Sequence, residues 1–302
     1  MGLRAVTAVA VVVVAFTAGC SSSEPPKAAD PAHEPPLGEV ATVRETYDLV
    51  LPLDSYRATA EQLATIGTAN DMLVQQCMRR FGFDTPVVSH ENPRQPNRRY
   101  GISASDDYAN WGYHPSPDQF PQRKANDPNQ QKHSDAEWQV FTGRDGSTVV
   151  NGEKVPDGGC RVEAGKTLNF YANNDTSHET ADDLVQNLSN ESNASARGDS
   201  RLIAAWANWS KCMDEAGYDY ATPWDANDDG AWWKDQNPSD KEIATAKADV
   251  GCKEKTNVIG VNLAVETAYQ SRLIEKNAEA LKDYRVLLDN RIKEATAVVS
   301  RK

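Results

Sequence analysis

The sequence predicts a mainly α-helical protein: two disulfide-bonded helical repeat units, a long irregular insertion containing a small β-hairpin, and a long C-terminal helix. Three observations predict it. The run Gln76-Cys77-Met78-Arg79-Arg80-Phe81-Gly82-Phe83-Asp84 returns as Lys211-Cys212-Met213-Asp214-Glu215-Ala216-Gly217-Tyr218-Asp219, sharing Cys-Met, three residues, Gly, an aromatic and Asp. Each copy is followed by a Gly-Cys-basic step, Gly159-Cys160-Arg161 and Gly251-Cys252-Lys253. Prolines crowd residues 84–158, whereas after Cys252 only Gly260 interrupts a run to Lys302 free of Gly and Pro.

The leader comes first. Arg4 precedes an apolar run from Ala5 to Phe16, then Thr17-Ala18-Gly19-Cys20 and an abrupt polar stretch. That run is too short to span a bilayer and suits a signal peptide. Small residues before Cys20 resemble the bacterial lipoprotein signal, although Thr17 stands where Leu is usual. The resemblance implies removal of residues 1–19 and acylation of Cys20. Each acyl methylene buried in a membrane then adds ~0.8 kcal/mol. Residues 20–40, rich in Pro, Ala and Glu, read as a flexible linker.

With Cys20 set apart, four cysteines remain. An even number fits two bridges in an oxidising compartment. Spacing alone leaves three connectivities; the repeat selects Cys77–Cys160 and Cys212–Cys252. Each bridge contributes about 2–4 kcal/mol, mainly by restricting the unfolded chain.

The first unit spans residues 41–180. Tyr56, Ala60, Leu63, Gly67, Leu73, Val74, Cys77 and Phe81 share one helical face, with Pro52 before it and Asp54 as cap. Gly82 occupies the left-handed C-terminal position. In the insertion, residues 84–158, aromatics alternate with prolines. Trp138-Gln139-Val140-Phe141 and Ser147-Thr148-Val149-Val150 read as short strands, with Asp145-Gly146 and Asn151-Gly152 as turns. Residues 181–198 read as a polar linker.

The second unit spans residues 199–302. Asp199 caps a helix whose face is Ile203, Trp206, Trp209 and Met213, and Gly217 stops it. Ser239-Asp240-Lys241-Glu242 is a capping box. Ile274, Leu281, Tyr284, Leu288 and Ala295 continue a helical seam, which packs against the first helix or a partner helix.

Charge and motifs narrow the chemistry. The net charge of −12 argues against nucleic acid. No His-Glu-x-x-His or Cys-x-x-Cys occurs, so His33, His90, His114, His133 and His178 read as exposed loop residues. Gly198-Asp199-Ser200 resembles an SGNH esterase block, but no Asp-x-x-His follows it. Arg197-Gly198-Asp199 reads as a helix start rather than an adhesion motif. Asp225, Asn227 and Asp229, with Gly230, match half a calcium loop, a weak candidate because Gln236 replaces the bidentate Glu. No catalytic residue and no cofactor emerges. Trp206 and Trp209 read as core, while Trp224, Trp232 and Trp233 flank a turn and are the candidate ligand contacts.

Together these features resemble an uncharacterised family of actinobacterial cell-surface lipoproteins. The matching residues are Cys77-Met78 with Gly82, Asp157-Gly158-Gly159-Cys160, Trp209 with Cys212-Met213, and Gly217-Tyr218-Asp219-Tyr220. They continue through Glu242-Ile243-Ala244-Thr245-Ala246, Asp249-Val250-Gly251-Cys252-Lys253 and Glu266-Thr267-Ala268-Tyr269-Gln270. The resemblance implies a lipid-anchored place at the outer face of the cell membrane and brings no catalytic residues. The expectation is a non-enzymatic accessory protein, partnered by the membrane and by an envelope or transporter protein. The alternative is a binding module for a cell-wall glycan or small molecule.

Overall fold

The computed structural model describes residues 33–90, 94–120, 134–144, 146, 149–170 and 182–301. Cys20 and the leader, His133 and His178 lie outside them. The elements are α1 (Ala60–Arg80), α2 (Tyr108–Trp111), α3 (Asp135–Thr142), β1 (Val149–Val150), β2 (Glu153–Lys154), α4 (Gly159–Thr167) and α5 (Asp182–Arg197). Then follow α6 (Ser200–Glu215), α7 (Pro223–Asn227), α8 (Asp240–Thr256), α9 (Val258–Lys276) and α10 (Ala278–Val299).

The repeated motif is a helix ending. Gly82 (φ 81°) and Gly217 (φ 89°) take the left-handed conformation. Gly82 N–H donates to Arg79 O and Phe83 N–H to Met78 O; Gly217 N–H donates to Asp214 O and Tyr218 N–H to Met213 O. Both are Schellman motifs, which satisfy helix carbonyls that otherwise lack partners. Met78 and Met213 are fully buried beneath them. The cysteine before each Met faces the same core, and the bridges are Cys77–Cys160 and Cys212–Cys252.

The first core joins α1, α3, α4 and the hairpin through Val74, Met78, Phe81, Val140, Val155 and Ala164. The hairpin pairs Val149 with Lys154 and Val150 with Glu153. Its turn residues, Asn151 and Gly152, both have positive φ, as a two-residue primed turn demands. The second, larger core joins α6, α8 and α9 through Leu202, Trp206, Trp209, Met213, Val250, Val265 and Tyr269. The terminal seam closes on the protein itself. Leu281, Tyr284 and Leu288 pack with Leu53, Val185 and Leu188, and Ala295 with Ile66, Ala69 and Leu168.

Several expectations need correction. Residues 181–198 are not a linker: 182–197 form α5, whose Val185, Leu188, Ser189, Ser192 and Ala196 are buried. Trp138–Phe141 lie in helix α3, because Ser134 caps its first turn and Gly143 ends it at φ 63°. Asp54 sits in a 3-10 turn, Pro52–Tyr56, and α1 starts later, capped by Thr59 and Gln62. The helical run from Asp240 breaks at Asn257 (φ 52°) and again at Asn277, leaving α10 as the long C-terminal helix.

Two further corrections concern how the units are joined. The linker assigned to residues 20–40 is fixed to the body at Glu34 and Pro35, whose buried groups meet the second unit. The insertion is not only a flap on the first unit. Ile102 and Tyr113 belong to the second core, and α2 packs on α8.

Candidate functional site

Residues 97–116 reach the second unit along a seam of buried charge. On α8, Glu242, Asp249 and Lys253 lie seven and four residues apart, so they share one helical face. On α9, Asn262, Glu266 and Gln270 follow the same rule. All six are buried, and a charge survives there only where it is paired and hydrogen-bonded.

The first anchor is Glu242. Its Oε1 accepts the N–H of Tyr113 (2.9 Å) and of His114 (3.2 Å), and lies 2.8 Å from His114 Nδ1. His114 Nε2 donates to Asp235 O at 3.1 Å. Both ring nitrogens thus face acceptors. Gly112 (φ 57°) makes room, since a Cβ there would stand 2.7 Å from Glu242 Oε1.

The second anchor is Asp249. It accepts from Trp209 Nε1 at 3.0 Å and from Lys253 Nζ at 2.9 Å; Lys253 also donates to Ile102 O at 2.9 Å. Burial pushes the Asp249 carboxyl above its ordinary value, against the pull of the Lys253 ammonium. Burial and the neighbouring Asp249 push the Tyr113 hydroxyl upward.

Glu266 is the third anchor. It binds the Arg99 guanidinium through both oxygens and accepts from Tyr100 Oη at 2.8 Å, Ser192 Oγ at 3.3 Å and Gln270 Nε2 at 3.2 Å. Gln270 Oε1 in turn accepts Leu53 N–H at 2.9 Å. Arg98 pairs with Asp106 and donates to Tyr113 O and His114 O. The seam therefore fixes an irregular segment in one conformation. The sequence signal for it was present: acids standing at core positions of a helix. It is weak because an acid on a helix reads as solvent-facing until its distant partner is placed.

The three candidate tryptophans do not form one face. Trp232 is core, stacked on Tyr113 with centroids 5.9 Å apart and Nε1 donating to Ala226 O. Trp233 is half-exposed and leans on His114 at 5.0 Å. Trp224 is partly buried beneath the Arg197 guanidinium at 5.4 Å. Trp206 and Trp209 are buried as expected.

The calcium reading is also corrected, because local structure engages the Asp225 and Asp229 carboxylates. Residues 223–227 are helix; Asp225 accepts from Thr222 as its cap, Asp229 accepts from Tyr220 Oη and Ala231 N–H, and Asn227 donates to Asp228. Among the described residues no group of three His, Cys, Asp or Glu could hold a metal ion.

Asp199 caps α6, accepting Arg201 N–H at 2.9 Å. Burial opposes its ionisation, but the Arg201 guanidinium and N–H outweigh it and hold the carboxyl below its ordinary value. Of the histidines, His114 is buried rather than exposed, and His90 is half-buried, 2.8 Å from Asp71.

Neither the protein-family models, the curated proteins nor the solved structures give a match to this chain. The two disulfides suit an oxidising, extracytoplasmic compartment. Among the described residues no helix is long and apolar enough to cross a membrane.

Proposed function

We propose that this protein is a non-enzymatic module of the cell envelope, tethered through Cys20 and acting by binding another envelope protein. The reading also places it with the actinobacterial surface lipoproteins that its repeat and lipobox-like leader resemble. One observation carries the binding role. The buried charges Glu242, Lys253 and Glu266 of the second unit are spent internally, on fixing residues 97–116 to a rigid helical body. Such chemistry presents a surface rather than turning over a substrate. The terminal seam is itself core, with Leu281 and Leu288 buried, so the partner meets another face.

The test is cross-linking on intact cells, with mass spectrometry of what co-purifies, beside a Cys20→Ser variant. A specific membrane protein, lost when Cys20→Ser moves the chain into the medium, supports the reading. Recovery of no specific partner rejects it. A second reading, binding of a wall glycan, is favoured by the half-exposed Trp233 ring. Retention on wall polymers that survives Trp224→Ala and Trp233→Ala together sinks that alternative.

A further inference from the structure

Both disulfides carry the same companion, an ion pair between the residues that stand three positions after each cysteine. Three positions is close to one helical turn, so each charge shares a face with its cysteine. At the first bridge Arg80 on α1 meets Glu163 on α4, with Nη2 lying 2.7 Å from both carboxylate oxygens. At the second, Glu215 on α6 meets Lys255 on α8 at 3.4 Å. The repeat keeps the pair and reverses its polarity. One turn beyond the leading cysteine stands a cation in the first unit and a carboxylate in the second.

The reversal reaches the sulfur. Arg80 Nη2 also donates to Cys77 Sγ at 3.1 Å. Beside it a cavity of ≈ 190 Å³ opens between α1 and α4, lined by Gln76, Cys77, Arg80, Glu163 and Thr167. A water needs only about 10–15 Å³ of such space, so a thiol and its carbon stem fit. A guanidinium against a sulfur favours the thiolate, and a favoured thiolate makes its disulfide easier to reduce. A carboxylate in the same position does the opposite.

We infer that Cys77–Cys160 is an exchangeable disulfide, open to an extracytoplasmic dithiol through this cavity, and that Cys212–Cys252 is a fixed brace. A thiolate of the dithiol attacks Cys77 Sγ; the S–S bond breaks and its electron pair leaves with Cys160. The dithiol's second thiol gives its proton to Cys160 and attacks its own partner sulfur in the mixed disulfide. Cys77 is released as a thiolate held by Arg80. The dithiol is thereby oxidised to a disulfide, and the bridge is reduced to one thiol and one thiolate. The inference goes beyond the binding role proposed above and does not rest on it.

The experiment treats the folded full chain with increasing dithiothreitol, blocks freed thiols with iodoacetamide and maps them by mass spectrometry. Cys77 and Cys160 are expected to open at about a tenfold lower concentration than Cys212 and Cys252. Exposure alone gives the reverse order, because Cys77 and Cys160 are buried and Cys212 is only half-buried. Arg80→Gln should slow the opening. Glu163→Gln, which removes the competing carboxylate, should speed it, in variants whose near-ultraviolet circular dichroism matches the parent's.

A pair that merely clips α1 to α4 gives a different answer: losing either member loosens the helices, and both variants open faster. That result overturns the inference. So does an unchanged rate in Arg80→Gln, or a second bridge that opens before the first or together with it.

Discussion

Asp249 and Lys253 lie one turn apart on α8, each at most 1% exposed in its side chain. Removing one partner strands the other charge in the interior. Asp249→Ala is therefore expected to cost roughly 3–5 kcal/mol in denaturant unfolding, whereas replacing both by well-packed apolar residues recovers most of it. Equal losses in the single and double variants would show that the pair is not the cause.

Asp199 gives the pH dependence. Its carboxyl is held below its ordinary value in the fold, so the unfolded chain takes up a proton first as pH falls. The stability it contributes is fully present above about pH 4, the ordinary carboxylate range, and is lost below it. Asp199→Asn should flatten this acid limb in thermal melts recorded across pH; an unchanged limb assigns the loss to other carboxylates.

At the scale of elements, the two helix endings invite a clean comparison. A Cβ on Gly217 meets nothing within 4 Å, so Gly217→Ala reports backbone strain alone. The expected cost is about 1–2 kcal/mol, the left-handed penalty for an L-residue. A change well below this, read from denaturant midpoints, would mean that α6 ends differently in solution. Loss of the bridge in Cys212→Ser/Cys252→Ser should cost about 2–5 kcal/mol.

These endings were legible because a Schellman motif is written within a few consecutive residues: Cys-Met-x3-Gly-aromatic specifies the bridge, the buried anchor and the stop. α5 was not legible. Its buried face includes Ser189 and Ser192, whose hydroxyls reach Arg99 and Glu266. Hydroxyls facing distant charges look like a solvated linker until those charges are placed. Trp138–Phe141 misled for a similar reason: aromatic and β-branched residues favour a strand, but Ser134 and Gly143 at the ends decided for helix.

At the scale of the whole molecule, sequence order and spatial order part company. Leu37 and residues 97–116 come from the first half of the chain yet complete the second core. Local pattern cannot reveal that, because Ile102 and Tyr113 find their partners some 150 and 130 positions away. The two repeat units are thus not independent. A fragment of residues 199–302 alone leaves Glu242, Lys253 and Glu266 without the groups that Tyr113, Ile102 and Arg99 bring to them. It should lack the near-ultraviolet circular dichroism of the intact chain, which itself should melt in one transition. A fragment with fixed tertiary structure would mean that the second core closes unaided.

The bridges, by contrast, never cross in sequence: Cys77 closes with Cys160 before Cys212 and Cys252 begin. That order matters for oxidation. Among the four bridged cysteines, joining each one to its nearest neighbour along the chain makes both native bonds and no wrong ones.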